Sequence, residues 1–510
     1  MLIHHKLYYT LYSCYLLLCC SAFHGWSSHV CRAYRQFYLS DKFVPVTEEK
    51  TISIHHNHSL FKNMSTSFFA QIGSNPKHAK NEDYHWFDGD GMIHGVFINA
   101  TTMTYQNKWI QTKRLQVENK WNKKMYLYFG ELKGLNGLFQ IFKYTIMEIL
   151  KLVPQAKGTA NTAFMRWNDK VYALHEGDMP YEIVVDDKAH NISTSHRIHY
   201  PNIFSTTAHP IQDHLRSKLY LYGYNNYDFS DGKFIFNVFD KHMNHLHQRN
   251  FSMINNGMTH DVAFTGDYMI IPDMPLKYDP SRMFRKKLPM YFDKKSGVTR
   301  FGIFHVAKKD PPKWYTFDEN FFIFHFARAY KNVNEFVIFG CAMDELHMED
   351  FVDPNNLENT DHIIRGKLRL KQFTINTKTN KTSIVENPYL QHIDVNFHYN
   401  LDFPIQSKRN SQFIYCTIFD SAMGLIRGYV KVDTYNFHES IPRVFLFPKH
   451  MYGNSEPQVV EMNNEEYLMT FSNRFEKSYI SLINVKTGSM NSINIPTRIP
   501  PGFHSIFYDR

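Results

Sequence analysis

Four histidines sit in or beside apolar, strand-like words: His209 in TAHPIQDH, His260 in GMTHDVAF, His325 in FFIFHFARAY and His504 in PPGFHSIF. The gaps between them are 51, 65 and 179 residues. Each of the first two is about one four-stranded propeller blade long, and the third about three. Histidines repeating at that spacing converge on one axis when the strands close into a ring. Neutral imidazoles meeting there form a metal site, and all-nitrogen ligation suits iron, copper, nickel or zinc.

The scaffold that must bring them together reads as sheet. From about residue 85 onward the chain runs strand, turn, strand. KLYLYGY (218–224), KFIFNVF (233–239), FVIFG (336–340), KLRLKQFTI (367–375) and YISLINV (479–485) are expected strands. Turns fall at Lys295-Ser296-Gly297, Lys378-Thr379-Asn380 and Lys486-Thr487-Gly488. A sandwich would be too large at this length, so an all-β propeller is the expected class. One segment breaks the pattern. Residues 137–155 place apolar groups at 138, 139, 142, 146, 149 and 150, which is helical spacing stopped by Pro154. That helix reads either as a lid packed over one face or as an apolar patch on it.

Composition bounds the partners. The 510 residues are 43% hydrophobic and 21% charged, as in ordinary globular proteins. The 43 Phe and 32 Tyr supply core, and walls for an apolar tunnel. A formal charge of +9 is scattered among 48 acids without a long basic run, so no nucleic-acid partner is expected. Six cysteines show no CxxC pair, which argues against a disulfide framework and against zinc–thiolate ligation. Residues 1–26 read as a signal peptide or membrane anchor, and 27–79 as an N-terminal extension. Residues 80–510 read as a single β-propeller domain. A secretory or membrane-associated location is expected, with six N-x-S/T sequons in agreement. The basic stretch 27–35 leaves an organellar signal open.

Together these words resemble the carotenoid cleavage oxygenase family. HWFDGDGMIHGV (85–96), YQNKWIQTKR (105–114), AKGTANTAF (156–164) and YALHEGDMPYE (172–182) match family blocks. AHPIQDH, THDVAF, FHFARAY, NLDFPI, NSEPQVVE and GFHSIF follow in family order, over roughly residues 80–508. The resemblance implies a seven-bladed propeller with a helical cap over its iron-containing face. It implies one Fe(2+) per chain, held by His209, His260, His325 and His504. Three carboxylates would orient the imidazoles, and Glu176 and Glu456 fill two of these places. The third holds Asp402 where the family uses glutamate, one methylene shorter. A backbone shift or a bridging water must close that gap, with His325 the imidazole affected. Thr162 falls at a position near the open coordination site, which its methyl would narrow. His85 and His94 lie in a matching block but not at ligand positions.

The implied reaction is cleavage by O2 of a C=C bond in a carotenoid or apocarotenoid, giving two carbonyl products. No G-x-G-x-x-G fingerprint of a flavin or nicotinamide site appears, so the metal would carry the redox chemistry alone. A carotenoid substrate implies peripheral membrane contact, whereas a stilbenoid substrate needs none. Three alternatives stay open: a stilbenoid-cleaving dioxygenase, a retinoid isomerohydrolase-like enzyme, and a non-catalytic polyene-binding protein. The stretch IIPDMPLKYDP lacks the cysteine of the animal retinoid branch, which favours the cleaving branch.

Overall fold

The computed structural model describes residues 37–509 except 63–65, 79–82, 156–157, 225–231, 256–257, 352–365, 393–398 and 421–423. Strands dominate it, and every strand pair is antiparallel. The expected strands form: Lys218–Tyr224, Lys233–Asp240, Glu335–Met343, Leu368–Asn376 and Lys477–Asn484. Their turns use left-handed backbone where the sequence supplies residues that tolerate it, with φ +58° at Asn380 and +81° at Gly488.

The strands fall into separate sheets along the chain. Four sheets have four strands each, one has five, one has nine, and one is a two-stranded ribbon. The nine-stranded sheet holds two successive groups of four, 399–446 and 458–495, bridged by Met451–Gly453. The five-stranded sheet joins the two ends of the described chain. Its last strand, Ser505–Asp509, pairs with Ser67–Ser74. The expected boundary at residue 80 falls inside this sheet, because Thr51–His55 and Ser67–Ser74 are two of its strands. Alternation alone does not reveal Ser67–Ser74: it is buried along its whole length, so its two faces carry no contrast.

Between the sheets lie aromatic cores. Phe301, Phe317, Phe321 and Phe373 interlock with ring centroids 4.8–6.0 Å apart. Edge-to-face pairs of this kind add to what area burial alone contributes. Cys341 and Cys416 are buried and free, in keeping with a fold held by packing.

Two α-helices interrupt the strands early in the described chain: α1, Lys113–Trp121, and α2, Gly134–Ile149. Thr112 caps α1, its hydroxyl accepting the Leu115 N–H at 3.1 Å. Helix α2 sits where the sequence places a helix, yet its apolar side is not packed away. Leu135, Phe139, Ile146 and Ile149 are exposed, as are Leu150 and Leu152 just beyond, while only Gly137 and Tyr144 are buried.

The secretory or membrane-associated location expected from residues 1–26 needs correction. Those residues lie outside the described ones, and among the described residues no helix is long and apolar enough to cross a membrane.

Candidate metal centre

Each of the four histidines lies in, or within three residues before, the edge strand of a different sheet. His209 precedes Ile211–Asp213, His260 precedes Ala263–Phe264, His325 lies in Phe322–Lys331, and His504 precedes Ser505–Asp509. The strand holding Asp402, Tyr399–Gln406, is an edge strand too. An edge strand has unpaired groups and freedom to bend. Bends occur here: the strand of His325 slips register on both sides of Phe326, and that of Asp402 slips between Asp402 and Ile405. Pro404 sits in that second slip, where a strand tolerates a residue without an N–H.

The four imidazoles come together. One ring nitrogen of each lies within 4.8 Å of the other three. Nε2 of His260 is 3.0 Å from Nε2 of His209 and 3.2 Å from Nε2 of His325. Metal–imidazole bonds of about 2.1 Å at right angles put neighbouring nitrogens about 3.0 Å apart, and tetrahedral angles about 3.4 Å. The first observed spacing matches the right-angled case and the second falls between the two.

Three imidazoles have a carboxylate behind them. His260 Nδ1 lies 2.5 Å from Glu176 Oε1. His325 Nδ1 lies 2.8 Å from Asp402 Oδ1, and His504 Nδ1 lies 3.2 Å from Glu456 Oε2. Each Nδ1–H donating outward leaves the Nε2 lone pair facing the centre, as a ligand must. The short side chain at Asp402 therefore reaches its histidine directly. The strand bulges there, and Phe403 takes a left-handed φ of +47°. Among the described residues, no carboxylate pairs with Nδ1 of His209. Its main chain is held instead, the N–H donating to Thr207 Oγ1 at 2.8 Å and the carbonyl accepting from Tyr222 Oη at 2.6 Å.

The electrostatics suit a cation. Burial holds the His209 and His325 imidazoles well below the usual range, and the neighbouring imidazoles add to the effect. Both are neutral at neutral pH, with lone pairs to offer. Burial pushes Glu176 up, but the charge and hydrogen bond of His260 outweigh it and its carboxyl titrates at about 2. Burial likewise pushes His260 down, and Glu176 raises it above the usual value. Asp402 goes the other way: burial lifts it to about 7 against the Phe403 amide. A dication at the centre would favour ionised Asp402 and a deprotonated His260 Nε2. The four inward nitrogens and three carboxylates thus fit a metal ion.

Aromatic rings wall the group. The Phe403 ring lies 5.0 Å from His325 and 4.8 Å from His504, and Phe324 lies 5.5 Å from His260. Thr162 sits just before strand Ala163–Trp167. Its hydroxyl donates to Asn161 Oδ1 and its N–H to the Leu174 carbonyl, both at 3.1 Å, and neither bond reaches the histidines. His85 and His94 are placed elsewhere. His85 Nδ1 accepts from the Phe87 N–H at the start of a short helical turn, and His94 Nδ1 pairs with Tyr105 Oη. Phe403, Thr207 and Tyr222 were not legible as site residues. Their roles come from a bulge and from main-chain bonds, which leave no mark in a sequence word.

The chain is similar to known proteins over most of its length. The profile of the retinal pigment epithelial membrane protein family matches residues 65–509. Carotenoid 9,10(9',10')-cleavage dioxygenase 1 of Arabidopsis thaliana is 28% identical, over 92% of this chain and 89% of its own. A 9-cis-epoxycarotenoid dioxygenase of the same plant, named as chloroplastic, is 26% identical over 92% of this chain and 81% of its own. Among solved structures, the lignostilbene dioxygenase of Pseudomonas brassicacearum superimposes with a TM-score of 0.74 at 16% identity, covering 93% of this chain and 98% of that one. Cobalt-substituted Synechocystis ACO gives 0.68 at 16% identity, covering 91% and 97%.

Proposed function

The chain belongs to the retinal pigment epithelial membrane protein family, and we propose that it is a non-haem Fe(II) dioxygenase. It cleaves a C=C bond of a carotenoid or apocarotenoid with O2 into two carbonyl products. The observation that carries this is the convergence of His209, His260, His325 and His504, three of them backed by Glu176, Asp402 and Glu456. Four neutral nitrogens with open positions suit ferrous iron, which would supply the activation of O2. One oxygen atom goes to each alkene carbon as the double bond breaks, so the balance needs no outside reductant. The protein's own work is geometric. The carboxylates hold the imidazoles in one tautomer, and Phe324 and Phe403 keep the centre apolar beside the reacting bond. Thr162 is assigned the narrowing of the open position by its methyl, on the strength of the block GTANTAF.

We read the sheets as seven blades of a propeller spanning 80–510 together with the two strands before it, with α1 and α2 as its cap. Four four-stranded sheets, the five-stranded sheet and the two halves of the nine-stranded one support that number. The exposed apolar side of α2 supports peripheral contact with lipid, from which an insoluble polyene would be drawn.

Iron analysis of the purified chain tests the site: about one iron per chain is expected from one four-histidine set. Labelling tests the reaction. With ¹⁸O2 both carbonyl products carry the label, and label arriving only from water would refute the dioxygenase. Carotenoid and stilbenoid substrates offered in parallel decide the substrate class.

A further inference from the structure

One buried carboxylate beside the histidines touches none of their imidazole nitrogens. Asp261 follows His260 in sequence. Its Oδ2 accepts the Phe326 backbone N–H at 2.7 Å. Its Oδ1 accepts the Val262 N–H at 2.7 Å and lies 3.4 Å from Tyr222 Oη. Phe326 follows His325, at the point where strand pairing slips. A bulge re-aims a side chain and interrupts the ladder of hydrogen bonds. A buried N–H left without an acceptor is strongly disfavoured. Asp261 thus supplies, from the neighbouring sheet, an acceptor at the bulge that aims His325. Beside it, Tyr222 reaches a third histidine, its single hydroxyl proton going to the His209 carbonyl rather than to Asp261. Thr207 holds the same histidine, its Oγ1 accepting the His209 N–H and lying 3.4 Å from the His260 carbonyl.

We propose that Asp261 is a positioning residue of the metal centre. Its carboxylate fixes the backbones of His260 and His325 relative to each other and so sets the angle their nitrogens subtend at the metal. Glu176, Asp402 and Glu456 orient rings, whereas Asp261 orients the strands that carry them. The inference rests on the four histidines being metal ligands.

Cobalt(II) titrated into the metal-free full chain tests it, because the visible absorption of cobalt reports ligand geometry. Asp261→Asn keeps the size, but its amide nitrogen cannot accept from an N–H. Its cobalt affinity should fall by about tenfold or more, with shifted visible bands. Asp273→Asn is the control for loss of stability alone. Asp273 is also buried and accepts the Ile254 and Asn255 N–H groups, none of them in a histidine-bearing segment. Asp273→Asn should lower the melting temperature and leave the cobalt spectrum of the wild type. If Asp261→Asn does not fold, Asp261→Glu keeps both acceptors at a longer reach, and its bands should also shift. A wild-type spectrum and affinity in the folded Asp261 variant overturn the proposal. Wild-type protein that takes up no cobalt overturns the metal reading beneath it.

Discussion

The His260–Glu176 and His325–Asp402 corners perform one task by opposite means. At the first a long side chain reaches its ring, and the pair is an ion pair, with Glu176 held at about 2 and His260 raised. At the second the side chain is short and its strand carries a bulge and the left-handed Phe403. That pair is more nearly neutral, with Asp402 lifted to about 7 and His325 held low. Reach in a metal site therefore belongs to side chain and backbone jointly. A substitution of carboxylates is conservative only when the backbone beneath is suited to the new length.

The largest test removes a ring: His260→Ala should abolish bound iron and cleavage, and full iron occupancy in that variant would contradict the assignment. Next come the carboxylates. Glu176→Ala and Asp402→Ala should each weaken metal affinity by about 10–100-fold, read by competition with a chelator. Exchanging lengths sharpens the contrast. Glu176→Asp should lose affinity, because a side chain one methylene shorter draws back from a contact made at 2.5 Å. Asp402→Glu should lose it too, by crowding a contact already made at 2.8 Å. Undiminished affinity in Asp402→Glu would show that the bulge relaxes freely.

The corners also differ in their response to pH in the metal-free protein. Glu176 is depressed from 4.5 to about 2, so its contribution is present above the unfolded value and lost as pH falls through the folded one. Asp402 is raised from 3.8 to about 7, so the folded state binds the extra proton and stability declines as pH rises between those values. Melting curves of Glu176→Gln should flatten on the acid side, and those of Asp402→Asn between about pH 4 and 7. The smallest effect lies on the surface. Phe139→Glu, on the exposed side of α2, should reduce sedimentation with lipid vesicles while leaving iron content unchanged.

The sequence carried much of this arrangement in local words. KLYLYGY and KFIFNVF are legible as strands because less buried ends frame a run that is mostly buried. The histidine words are legible because polar residues in apolar strands need a partner. Ser67–Ser74 was hidden by uniform burial. Asp261 stood in the quoted word THDVAF, yet the amide it binds is 65 residues away. Pairing at that distance is set by sheet packing, and spacing cannot express it. For the same reason the Asp402 gap could be seen in the sequence, but not the route by which it closes.

The last described strand, Ser505–Asp509, both seals the first sheet against Ser67–Ser74 and follows directly on His504. The pairing of the two chain ends and the placing of the fourth histidine thus depend on the same strand. A nascent chain holds at most three quarters of its nitrogen donors until this strand has left the ribosome and found its mate. If the four histidines hold a metal, removing this strand should weaken its binding and open the sheet together.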